Sequence, residues 1–98
     1  MIYSFNGRSE HPKGLHYAHI SSLQLVTTTL FPNFKVYFVH NNQKAYIGNI
    51  VQCLALKIRH ELFMLEIETD DSKKLEIFLA ALKECKIFVQ KNNSPTTF

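Results

Sequence analysis

The chain predicts an α+β domain in which a four-stranded antiparallel sheet carries three helices on one face. Three observations carry that class. The run His60-Glu61-Leu62-Phe63-Met64-Leu65-Glu66-Ile67-Glu68-Thr69 alternates, with Phe63, Leu65 and Ile67 pointing one way and Glu66 and Glu68 the other. One face of its sheet is therefore wet, a condition antiparallel sheets tolerate and parallel ones do not. From Asp70 or Asp71 to roughly Phe88, Leu75, Phe78, Leu79, Leu82 and Cys85 form a broad apolar stripe at helical spacing, suited to cover the other face. Strand and helix signals follow one another in the order β-α-β-β-α-β-α, with no internal repeat.

Taken in order, Ile2-Tyr3-Ser4-Phe5 reads as a short opening strand that Asn6-Gly7 leads into irregular structure. The loop from Arg8 to Leu15 holds Pro12, which stops a strand, and Gly14, which permits φ > 0 just ahead of a helix. From Tyr17 to about Leu30, Ile20, Leu23, Thr27 and Leu30 recur at spacings of three and four, and Pro32 ends the helix. Phe34 to His40 is rich in β-branched and aromatic residues and reads as a strand with Val36 and Phe38 on one face. Asn41-Asn42 is a turn signal because Asn tolerates the left-handed region, and Lys44-Ala45-Tyr46-Ile47 returns as the partner strand of a hairpin. Asn49 supplies an N-cap for a short helix through Ile50, Val51, Leu54 and Ala55. The core is expected to hold Leu23, Phe38, Leu65, Ile67, Leu79 and Leu82. Residues 1–90 are read as one domain and 91–98, which lack periodicity, as a flexible tail.

Composition narrows the functions open to such a domain. Nearly half of the 98 residues are apolar, which argues for a folded globule. No apolar run approaches the roughly 20 residues needed to span a bilayer, and residues 1–15 lack a signal-peptide core, so a cytoplasmic protein without membrane insertion is expected. The net charge of +3 comes from scattered Lys and Arg, so no nucleic-acid footprint is evident. Cys53 and Cys85 lack redox or zinc-type spacing and read as reduced, buried thiols. There is no Walker loop, GxGxxG, GxSxG or HExxH, and nothing points to a self-contained enzyme with its own substrate pocket.

The stretch Pro12-Lys13-Gly14-Leu15-His16-Tyr17-Ala18-His19 carries the chemistry. It sets a histidine at the threshold of a helix, where free N–H groups and the positive end of the dipole make an anion site. That potential disfavours imidazolium, so one ring nitrogen stays free to attack phosphorus. His16 is the candidate nucleophile, and the helix start at Tyr17, Ala18 and His19 the candidate phosphate-binding segment.

Pro12, Gly14, Leu15 and His16 fit the pattern Pro-x-Gly-Leu/Ile-His-x-Arg-Pro-Ala, and the stretch resembles the active loop of the histidine-containing phosphocarrier (HPr) proteins of the bacterial sugar phosphotransferase system. The element order supports the likeness over about nine-tenths of the chain. The resemblance implies an open-faced β-sandwich and a phosphoryl group accepted on His16 from enzyme I and passed to a sugar-specific or regulatory protein. It also implies a small apolar docking patch at Ile50, Val51 and Leu54. The chain departs from the family in three places: Ala18 stands where the family has its phosphate-binding arginine, His19 where it has proline, and Asn49 where some members carry a regulatory serine. His19, one turn along, is the nearest substitute cation, though imidazole is mostly neutral at pH 7 unless the phosphoryl group itself raises its pKa.

Two other readings stand beside the carrier. One is a paralogue that keeps the scaffold and docks a regulator without turning over phosphate. The other is a basic α+β domain that binds RNA or metal, resting on composition and on His11, His16 and His19, of which the last two fall i, i+3. With Glu10 the one carboxylate beside them in sequence and no cysteine near, these histidines are weighed as a coincidence, and no metal or cofactor is expected. Glu66 and Glu68 are read as a solvated sheet face rather than paired catalytic acids.

Overall fold

The computed structural model describes residues 1–90, and the expected tail at 91–98 lies outside them. The elements are β1 (Ile2–Ser9), α1 (Tyr17–Leu30), β2 (Lys35–His40), β3 (Gln43–Tyr46), α2 (Ile50–Ala55), β4 (Phe63–Glu68), α3 (Ser72–Glu84) and β5 (Ile87–Val89). They form an α+β fold with a single antiparallel sheet of order β3-β2-β4-β1-β5. The sheet therefore has five strands, not the expected four. The expected core is in place, since Leu23, Phe38, Leu65, Ile67 and Leu82 are all inaccessible and Leu79 nearly so.

The fifth strand and a second departure share one cause. The apolar stripe of α3 does run through Cys85, but Lys86 takes a left-handed φ of 60° and its N–H turns back to the Lys83 carbonyl, which ends the helix short of Phe88. Ile87 and Val89 then alternate into the core and pair with Ser9 and Gly7 of β1. For the same reason β1 does not stop at Phe5. Its first six residues pair with β4 and its last three with β5, so Asn6 to Ser9 have ladder partners that their sequence does not advertise. Gly7 occupies a core-facing position without a side chain, and the ring of Phe63, directly across the ladder, fills the space: a Cβ there would sit 3.3 Å from it.

The inner positions of all five strands and the buried sides of all three helices join in one cluster. Its helix side is built around Phe78, whose ring meets those of Phe31 and Phe34 at 5.1 and 5.3 Å. Leu30, expected on the inner stripe of α1, is exposed instead, and Phe31, the residue capping the helix, is buried. On the outer face the half-buried Glu66 and Glu68 meet Lys44 and Lys35, at 2.8 and 3.8 Å, so these carboxylates belong to cross-strand ion pairs.

Turns and caps follow the local chemistry. Asn41 and Asn42 both have positive φ, at 51° and 63°, as a two-residue hairpin loop requires. Asn49 caps α2 by accepting the Gln52 N–H at 3.1 Å, and Asp71 caps α3 by accepting the Lys74 N–H at 3.1 Å. Cys53 and Cys85 are buried free thiols. No helix among the described residues is long and apolar enough to cross a membrane.

Candidate functional site

The loop between β1 and α1 is a tight turn fastened at both ends. Pro12 sits where φ near −65° suits a turn, and the Gly14 N–H closes it onto the His11 carbonyl at 2.9 Å. Gly14 has φ of 80°, and a Cβ on it would collide with the backbone of Arg59. Beyond the turn, Leu15 is buried and donates its N–H to the Ile58 carbonyl at 3.1 Å, while His60 Nε2 donates to the Pro12 carbonyl at 2.8 Å. The segment between α2 and β4 thus clamps the loop from below. On the other side the Glu10 N–H donates to the Lys86 carbonyl at 2.8 Å, which brings the α3–β5 junction alongside.

His16 is the N-cap of α1, with extended backbone and its Nδ1 accepting the Ala18 N–H at 3.2 Å. Of the three N–H groups at the helix start, that of Ala18 is held by this ring and that of His19 by the His16 carbonyl, which leaves Tyr17 as the one not so engaged. Tyr17 itself is exposed.

His11 and His19 converge on His16. The three ring centroids stand 4.4 to 4.5 Å apart in every pair, and one nitrogen from each ring lies within 4.8 Å of the other two. All three side chains are half-buried. The spacing that looks accidental along the chain is therefore a compact cluster in space: His19 comes over one helical turn, and the His11–Gly14 turn folds His11 back onto it. Burial lowers the pKa of His11 and of His19 below the ordinary histidine value, and the neighbouring rings add to the effect, as do Lys13, His60 and Lys86 at His11 and Lys86 at His19. With no phosphoryl group beside it the His19 ring is thus mostly neutral at pH 7. Lys86 is the group that sequence reasoning missed. It lies some seventy positions from the loop and arrives only through the β1–β5 pairing.

Proton counting constrains the cluster further. The Lys13 N–H donates to His11 Nδ1 at 3.1 Å and the Ala18 N–H to His16 Nδ1 at 3.2 Å, so a neutral ring keeping either bond carries its proton on Nε2. The two Nε2 atoms face each other at 3.4 Å. With both Nδ1 bonds made, two N–H groups would point at one another, and a His16–His11 hydrogen bond forms only if one ring gives up its backbone donor.

The expected docking residues divide. Val51 is 77% exposed and Leu54 38%, whereas Ile50 is half-buried against the core. α2 packs on α1 and β3 through Cys53, its one buried residue.

Comparison of the chain with protein-family models and with curated proteins found no match to either.

Proposed function

We propose that this protein is an HPr-like phosphocarrier of a sugar phosphotransferase system, cytoplasmic, taking a phosphoryl group on His16 from an enzyme I-type donor and giving it to a sugar-specific or regulatory protein. The observation that carries the reading is the seat of His16: an N-cap imidazole on a fourteen-residue helix, its Nδ1 held as an acceptor at the positive end of the dipole. The order of the first seven elements, β-α-β-β-α-β-α, supports it as well.

In this reading Nδ1 is the nucleophile. Its lone pair forms the N–P bond while the donor's bond to phosphorus breaks and the donor keeps that electron pair. The N–P bond displaces the Ala18 N–H from Nδ1, and that N–H then faces a phosphoryl oxygen together with that of Tyr17. Nε2–H is left directed at His11, which accepts it after releasing Lys13. Lys13 and Lys86 add positive potential where Ala18 offers none. Protein docking falls to the exposed pair Val51 and Leu54.

A charge-assisted hydrogen bond of the kind Ala18 cannot make is worth about 1.5–3 kcal/mol, or roughly one to two powers of ten in rate. Phosphoenolpyruvate and enzyme I should therefore add one phosphoryl group by intact mass, slowly in the wild type and faster by that factor in Ala18→Arg. His16→Asn, which keeps a capping oxygen, should gain none. Failure of both wild type and Ala18→Arg to gain mass would remove the carrier and leave a non-catalytic docking module. The exposure of Val51 and Leu54 on a helix only six residues long favours that module as the second reading.

A further inference from the structure

We propose that His11, His16 and His19 form a binding site for a divalent transition-metal ion of the zinc class, held by three imidazoles with a fourth position open to water or an anion. The inference does not rest on the carrier reading, because it uses His16 only as a ligand.

Tetrahedral zinc with Zn–N bonds of about 2.0–2.1 Å places its ligand nitrogens about 3.3–3.4 Å apart. His11 Nε2 and His16 Nε2 already stand 3.4 Å apart. One nitrogen from each of the three rings lies within 4.8 Å of the other two, so the third ligand is already at hand. A second observation is independent of these distances: His19 Nδ1 is buried and has no hydrogen-bond partner among the described residues. A metal ion would satisfy it, and would also remove the conflict of two facing N–H groups by taking both Nε2 lone pairs.

The donor set selects the ion. Three imidazoles without a carboxylate suit zinc, cobalt, nickel or copper and not magnesium or calcium. Lys13 and Lys86 oppose a bare dication, so an anionic fourth ligand such as hydroxide is favoured. Binding also has a signature that a mere cluster of rings lacks. Metal on Nε2 moves the ring proton of His11 and His16 to Nδ1, so the bonds from the Lys13 and Ala18 N–H groups must break.

The test is titration of the intact chain with zinc alone, by calorimetry in a non-chelating buffer, with cobalt as the spectroscopic probe. One zinc ion per chain is expected, with visible cobalt bands of tetrahedral intensity and a switch of His16 to the Nδ1–H tautomer in ring nitrogen spectra. His11→Gln, His19→Gln and His16→Asn should each weaken zinc by more than the roughly 10–100-fold that loss of a supporting contact costs. Lys35→Gln, on the outer face of the sheet where Lys35 meets Glu68, should leave it unchanged. Should His19→Gln not fold, His11→Gln decides, since that side chain lies in the loop. No saturable binding, or binding indifferent to His11→Gln, would overturn the proposal.

Discussion

Replacing Gly14 by alanine tests whether the loop is held by backbone geometry or merely by its sequence neighbours. Gly14 has φ of 80°, and its added Cβ would meet Arg59 Cα, with the Arg59 carbonyl carbon and oxygen each at 2.9 Å. Those atoms are main chain and do not swing aside. Left-handed backbone costs an alanine about 1–2 kcal/mol. Relief of the collision separates the loop from residues 57–59, which breaks the Leu15 to Ile58 hydrogen bond, worth about 0.5–1.5 kcal/mol, and lets water reach Leu15. Partial loss of a leucine whose full burial is worth about 1.5–3 kcal/mol brings the expected destabilisation to about 2–5 kcal/mol. Against a total stability on the order of 5–15 kcal/mol, and an m-value of about 1–3 kcal/mol/M, the urea midpoint should fall by at least about 0.7 M. Gly14→Asn separates the two causes. Asparagine tolerates the left-handed region, so it should recover only the conformational part and stay well below wild type because the collision remains. A midpoint shift under about 0.3 M for the alanine variant would mean that the Arg59 backbone yields, and that the clamp positioning His11 and His16 is loose.

Asn49→Ala should cost about 0.5–2 kcal/mol in urea denaturation through loss of the Gln52 cap, and a phosphocarrier kinase should add no mass to a peptide containing residue 49. The pKa values of His11 and His19 are depressed in the folded state, so between their folded values and the unfolded value near 6.5 the unfolded chain binds more protons; the stability they contribute is whole above about pH 6.5 and lost as pH falls through the folded values. Thermal midpoints should therefore drop on the acid side, and less steeply in His11→Gln. Burial pushes the Cys53 thiol up to about 11 and raises Cys85 as well, so a thiol reagent at pH 8 should modify both slowly in native buffer and at once in denaturant.

Much of this molecule can be read from neighbouring residues alone, because the physics involved is local. The bounds of α1 follow from apolar periodicity and the proline beyond it, the wet face of β4 from alternation, and the Asn41-Asn42 hairpin and the Asn49 and Asp71 caps from what those side chains do to their own backbone. His16 at a helix start is equally local. Tertiary structure decided the rest. Ile87, Phe88 and Val89 continue a helical stripe on paper and become a strand only because Lys86 reverses the chain and β1 offers an unpaired edge. Gly7 reads as a strand breaker until the ring of Phe63 covers it. His11 and Lys86 reach the site by turn closure and by strand pairing, and neither leaves a mark in the spacing of residues. Long-range pairing chooses among local conformations that differ by little, and so the strand count and the composition of the histidine cluster belong to the fold and not to any one stretch of the chain.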